Sequence, residues 1–201
     1  MTPLLLLGAA YLIGAIPFGY LLVKMKSGAD VRSMGSGNIG ATNVLRTTGR
    51  AAGIVTLLLD IGKGLLAVWV TDRVTNGSPE WTSAAALAVM AGHAYPVFLN
   101  FHGGKAVASF AGAFLYLTPL PLLATLILFL SIVAASRYIS LASVVGAACF
   151  PLAVFLIDHP PLPVLVASVV AAVFIVVRHK SNLQRIRAGN ENVFSFGGRR
   201  A

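Results

Sequence analysis

The stretch Gly35-Ser36-Gly37-Asn38-Ile39-Gly40-Ala41-Thr42-Asn43, closed by Arg46 and Arg50, is the longest run of glycine and small hydrogen-bonding side chains in an otherwise very apolar chain. Glycines let backbone N–H groups turn toward an anion, Ser, Thr and Asn add neutral donors, and Arg supplies a planar cationic fork. That chemistry suits phosphate. The plainer alternative is a polar connector between membrane helices, which needs glycine and asparagine only for its turns. Gly35, Gly37 and Gly40 also satisfy G-x-G-x-x-G, with Asp60 near the spacing of a ribose-binding acid. A dinucleotide fold needs βαβ alternation; here long apolar runs flank the glycines and one of them contains Asp60.

Two more polar clusters interrupt the apolar sequence. Gly92-His93-Ala94-Tyr95-Pro96-Val97-Phe98 leads into Phe101-His102-Gly103-Gly104-Lys105. Walker spacing fails there, because Leu99 stands where the first glycine belongs and Ala106 replaces Ser or Thr. The last cluster runs from Arg178-His179-Lys180-Ser181-Asn182 through Arg185 and Gly189 to Glu191.

The elements that position these clusters must be membrane helices. The 201 residues are 57% hydrophobic and only 10% charged, with a mean hydropathy of +0.85, whereas about a quarter of a soluble domain is charged. At about 20 residues per span, the length allows up to seven spans and no separate soluble domain, so 1–201 reads as a single membrane-embedded domain. The net charge of +9 lies in connectors and tail rather than on a basic face with interleaved aromatics, which argues against nucleic acid. Cys149 is the single cysteine, which excludes an internal disulfide; in its apolar run it is expected to pack as a small apolar residue.

Apolar runs cover 3–23, 51–71, 81–101, 106–118, 120–135, 141–157 and 163–177. Gly14, Pro17 and Gly19 predict a kink in the first. Asp60 and Lys63 in the second share a helix face and read as a neutralising structural pair. The run 106–118 is short for a span, and Thr118-Pro119-Leu120-Pro121 breaks the chain after it. Lys24 and Lys26 follow the first run, which favours an outside N-terminus. Seven spans then place the connector 24–50, the Gly103–Lys105 turn, Arg137 and a cationic tail in the cytoplasm, leaving only Arg73 outside. The expectation is a seven-transmembrane, all-α integral membrane bundle, N-terminus outside and C-terminus cytoplasmic, with all three clusters on the cytoplasmic face. The tail includes Arg199 and Arg200, and residues after Phe196 are expected to fray.

No nucleophile–base set is evident. None of His93, His102, His159 and His179 has an Asp five residues later, and no G-x-S-x-G is present. Chemistry here must rest on positioning, charge stabilisation and an already activated substrate. No metal constellation is visible and no cofactor is expected.

On these residues the chain resembles the bacterial acyl-phosphate:glycerol-3-phosphate acyltransferases, the PlsY family. The first motif is matched by Gly35-Ser36-Gly37-Asn38, Gly40-Ala41-Thr42-Asn43 and Arg46; the second by Gly92-His93, Pro96-Val97-Phe98, Phe101 and Gly103-Gly104-Lys105; the third by Arg178-His179, Asn182, Arg185, Gly189 and Glu191. Leu59-Asp60 with Lys63-Gly64, and Arg137-Tyr138 with Ser140-Leu141, look like further family segments. Three departures are His102 where lysine is common, Ala106 where glycine commonly follows the lysine, and Ile186 where leucine is usual. The first two bear on the glycine-rich loop.

The resemblance implies acyl transfer from acyl phosphate to the 1-hydroxyl of glycerol 3-phosphate in the bacterial inner membrane, with a cytoplasmic site. Products would be lysophosphatidic acid and phosphate, without acyl-CoA or acyl carrier protein as donor. Partners are the two substrates, membrane lipid and, as candidate protein partner, the enzyme that makes acyl phosphate. Ser36, Arg46, Lys105, His179 and Asn182 are the candidate catalytic residues. Gly37, Asn38, Thr42, Asn43, His93, Gly103, Gly104 and Arg185 are candidates for substrate binding, while Asp60, Lys63 and Glu191 are expected to be structural. A substrate phosphate oxygen is the favoured proton acceptor, with His93 the protein alternative. An organic-phosphate transporter and a lipid-binding scaffold are the competing classes; the absence of repeats and the one-sided clusters argue against the first.

Overall fold

A computed structural model describes residues 3–194, all of them helix or connecting turn. Arg199, Arg200 and the end expected to fray lie outside the described residues. The chain divides into two compact units, the first ending at Tyr116 and the second beginning at Leu117.

In the first unit, Pro17 lacks an N–H and divides the opening apolar run into α1 (Pro3–Ala15) and α2 (Phe18–Ser27). Gly28, at φ 70°, ends α2 by donating its N–H to the Lys24 carbonyl at 2.9 Å. A short helix, α3 (Ala41–Thr48), lies inside what the sequence reads as a connector; buried Asn43 and Val44 form its inner face. Next come α4 (Arg50–Thr75) and α5 (Pro79–Ala94), the latter capped by Ser78 Oγ, which accepts from Trp81 N–H. The unit's last helix is α6 (Val107–Leu117).

Helix α1 packs on α4 and α5, and α4 also packs on α2, α3 and α5. Glycines set the spacing. A Cβ on Gly14 would collide with the Val89 carbonyl of α5, and one on Gly92 with the Tyr11 carbonyl of α1. Small residues at such crossings let backbones approach where no hydrophobic effect drives association.

The second unit contains α7 (Pro119–Ser136), α8 (Ile139–Ile157), α9 (Leu162–Arg178) and α10 (Lys180–Arg187). Helix α8 lies against α7 and α9, and α10 rests on α8 and α9. Leu58 and Leu66 of α4, and Leu123, Ile127 and Leu130 of α7, face outward and are exposed, as lipid contact requires.

The expected seven-span bundle is not what forms. Among the described residues, five helices are long and apolar enough to cross a membrane: Leu4–Ser27, Arg50–Thr75, Pro79–Leu99, Pro119–Ser136 and Ile139–Ile157. A sixth is reached only if α9 and α10, bent by 51°, count as one span. With 11 residues, α6 is roughly 16 Å long at 1.5 Å per residue, about half the hydrocarbon thickness. The orientation drawn from seven crossings, N-terminus outside and C-terminus cytoplasmic, loses that count as its basis. Cys149 also departs from expectation, being exposed on α8 rather than packed inside.

Gly14→Ala forces a methyl into a backbone carbonyl that cannot step aside. It should lower stability by about 1–3 kcal/mol, read as a lower unfolding temperature in detergent. An unchanged temperature would show that glycine does not set the α1–α5 spacing.

Candidate active site

The first motif is a loop locked from within by one amide. Asn43, 2% exposed, uses Nδ2 to donate to the carbonyls of Asn38 (2.8 Å), Met34 (3.0 Å) and Val31 (3.3 Å), while its Oδ1 accepts from Ser36 N–H at 2.9 Å. Gly35 and Gly37 adopt φ 57° and 70°, and a Cβ on Gly35 would run into Asn43 Oδ1. Asn38 Oδ1 accepts from Gly40 N–H at 2.7 Å, setting the turn into α3. Upstream, Asp30 caps a short turn and pairs with Arg32 at 2.7 Å. Hydrogen bonds from Arg32 hold the Asp30 carboxyl below its ordinary value, although both side chains remain about a third exposed and the pair contributes little to stability. Ser36 and Gly37 are exposed, while Thr42 and Arg46 are half-buried along α3.

The second motif folds back on the end of α5. Gly104 N–H donates to the His93 carbonyl at 3.0 Å and Gly103 N–H to the Ala94 carbonyl at 3.2 Å. Neither glycine tolerates a side chain: a Cβ on Gly103 would meet the His93 carbonyl and Pro96, and one on Gly104 would meet His93 Nε2. Ala106, one of the departures from the family pattern, is fully buried at φ 61°. The glycine-type backbone is thus kept despite a methyl, at a cost of about 1–2 kcal/mol. His102, the other departure in this loop, is exposed, with Nδ1 2.6 Å from the Asn100 carbonyl. Leu99 joins Val23, Val31, Ile39 and Val44 in one small core. The first two motifs therefore rest on shared apolar contacts.

His93 is 4% exposed, its Nδ1 3.2 Å from Ser109 Oγ and 3.6 Å from Asp60 Oδ1. Asp60 Oδ1 lies 2.8 Å from Lys63 Nζ, which also donates to the Ile16 carbonyl at 2.9 Å. Asp60 and Lys63 form an ion pair, but one with further connections. Sequence reasoning missed both the Asp60–His93 approach and Ser109. Periodicity pairs residues within one helix, and these three sit on α4, α5 and α6.

The third motif belongs to the second unit. His179 marks the bend between α9 and α10, where its Nδ1–H donates to the Ile175 carbonyl at 2.8 Å. Gly189, at φ 70°, ends α10 and turns the chain back. Glu191 then accepts from Asn182 Nδ2 (2.6 Å), Ser140 Oγ (3.0 Å) and Arg185 Nε (2.8 Å). Burial pushes the Glu191 carboxyl up, but these donors outweigh it and leave it below its ordinary 4.5. The following backbone is tied down by Phe194 N–H to the Arg137 carbonyl at 2.8 Å and by Arg137 Nε to the Phe194 carbonyl at 3.2 Å.

These features define an all-α, multi-pass membrane protein carrying glycine-rich, cation-bearing loops. A family model described as glycerol-3-phosphate acyltransferase matches residues 4–189, and the chain belongs to that family. It is 48% identical over 194 residues to a glycerol-3-phosphate acyltransferase of Geobacter sulfurreducens, covering 96% of this chain and 98% of that one. A relative from Geotalea daltonii is 46% identical with the same coverage. Among solved structures, the chain resembles the glycerol 3-phosphate form of PlsY (YgiH), an integral membrane glycerol 3-phosphate acyltransferase, with a TM-score of 0.91, 36% identity, and 97% of this chain and 96% of that one covered. The lysophosphatidic acid form of PlsY gives 0.87 and 34% with the same coverage.

The Glu191 carboxylate makes a pH prediction. Because its pKa is lower folded than unfolded, the unfolded chain binds more protons between the two values, and stability rises with pH there. Its contribution is complete above about pH 4.5 and lost as pH falls through the folded value. Glu191→Gln should flatten this part of the acid-unfolding curve and cost about 1–3 kcal/mol at neutral pH; a variant curve parallel to the parent's would remove Glu191 as the group responsible.

Proposed function

We propose that the whole chain, 1–201, acts as one acyltransferase domain that moves a fatty acyl group from acyl phosphate to the 1-hydroxyl of sn-glycerol 3-phosphate. The glycerol oxygen bonds to the acyl carbonyl carbon, the bond from that carbon to phosphate breaks, and the hydroxyl proton leaves on a phosphate oxygen. Lysophosphatidic acid and inorganic phosphate are the products, made at the bacterial inner membrane in phospholipid biosynthesis. The observation that carries this reading is the likeness, along almost the whole chain, to PlsY in its glycerol 3-phosphate form.

Within this reading the chain binds and orients, while phosphate, a good leaving group, supplies the reactivity. Ser36, Gly37, Asn38 and Thr42 present donors at the entrance to α3, with Arg46 as their cation. Gly103 and Gly104 let the loop backbone close on the end of α5 and so set the place of Lys105. His179 and Asn182, with Arg185, serve the same reaction from the third motif. Asn43 acts at one remove, because its bonds to four backbone groups hold the loop that carries the donors. The excess of Lys and Arg in the connector 24–50 supports a cytoplasmic position for the first motif.

Purified protein in a lipid phase, given glycerol 3-phosphate, should form lysophosphatidic acid and release phosphate with palmitoyl phosphate but not with palmitoyl-CoA. Product from the CoA ester would overturn the donor assignment. Loss of either Arg46 or Lys105 to alanine should cost about 2–5 kcal/mol of substrate or transition-state binding, roughly 30-fold or more in kcat/KM. Parental turnover in the double alanine variant would remove these cations from the site.

A further inference from the structure

The Asp60–Lys63 pair does more than neutralise itself. A buried ion pair is a weak source of stability, since well-packed apolar residues of like volume often do as well. Here both partners, 3% exposed, engage third parties. Lys63 Nζ donates to the Ile16 carbonyl at the α1–α2 break, which fixes the ammonium and through it the carboxylate. Asp60 Oδ1 faces His93 Nδ1 at 3.6 Å, with Ser109 Oγ at 3.2 Å from the same nitrogen. A carboxylate only accepts, so its field favours the tautomer with the hydrogen on Nδ1. The opposite edge of the ring, Nε2, then lies against Gly104, where no Cβ fits, while the His93 carbonyl takes the Gly104 N–H at 3.0 Å. Ring and carbonyl of one residue thus hold the glycine beside Lys105.

We propose that Asp60, anchored by Lys63 and acting through His93 and Ser109, is a positioning residue for the Gly103-Gly104-Lys105 loop in acyl transfer. The chain of contact runs from α4 to the end of α5 and from there into the loop, entirely within the first unit. Misplacing a binding loop by about 1 Å can cost on the order of a hundredfold in rate, so a buried charge on another helix has leverage on turnover without touching substrate.

The test separates positioning from neutralisation. Asp60→Asn combined with Lys63→Met removes both charges, and although the Ile16 carbonyl loses the Lys63 ammonium it keeps the Phe18 N–H at 3.2 Å, so a merely neutralising pair predicts parental kinetics. The proposal predicts protein of near-parental unfolding temperature whose kcat falls about tenfold to a hundredfold, and no further fall when His93→Gln is added, since the residues act as one unit. Parental kcat in the pair-neutral variant, or losses that multiply with His93→Gln, would overturn it. Should that variant fail to fold, Ser109→Ala leaves the ion pair whole and decides the matter: a lowered kcat that does not compound with His93→Gln supports positioning, and unchanged kinetics overturn it. The inference rests on the acyltransferase reading. An inactive parent in the same assay overturns that reading and this inference with it, whereas an active parent beside an unaffected variant overturns the inference alone.

Discussion

In hydrocarbon, a backbone carbonyl without a donor costs several kcal/mol, and this chain breaks its helices where its polar chemistry lies. Each break has its own remedy. Lys63 Nζ reaches the Ile16 carbonyl at the division of α1 from α2, His179 Nδ1 takes the Ile175 carbonyl at the bend after α9, and the Gly103 and Gly104 amides cover the carbonyls at the end of α5. Lys63, which the sequence offers only as half of a neutralising pair, is thus also a donor to the backbone of an interrupted helix.

Glycine has two separate uses in the fold. At Gly14 and Gly92 it removes side chains from the α1–α5 crossing, which is a packing requirement. At Gly35, Gly37 and Gly189 it supplies positive φ for turns that face the polar clusters. Asparagine divides in a similar way. Asn43 meets only backbone among its hydrogen bonds described above, whereas Asn182 donates to the Glu191 carboxylate.

Much of this was legible in the residues. Most apolar runs, the kink at Pro17 and the break at Thr118-Pro119 fall within a few residues of the observed helix ends, because proline and hydropathy act locally, whereas the run 81–101 outlasts α5, which stops at Ala94 before Pro96. The span count failed because it took every apolar run as a crossing, and α6 is apolar but too short. Helices α3 and α10 went unseen because eight polar-rich residues give no hydrophobic stripe long enough to register. Among the polar residues, Asp60 and Lys63 were paired correctly by i,i+3 spacing, yet nothing in one sequence joins Asp60 to His93 and Ser109. Their approach depends on how three helices pack, which follows from glycine contacts such as Gly64 against Ser109 and Gly112 against Ile61.

The Asn43 clamp has a consequence for ligand affinity. A loop of small residues and glycines, left to itself, would sample many conformations and lose that freedom each time it closed on an anion. With Ser36, Asn38, Met34 and Val31 tied to one buried amide, most of that loss occurs when the protein folds. If the loop holds phosphate as proposed, association draws on its donors without first having to order them, and release of product leaves the loop in the shape that the next molecule meets.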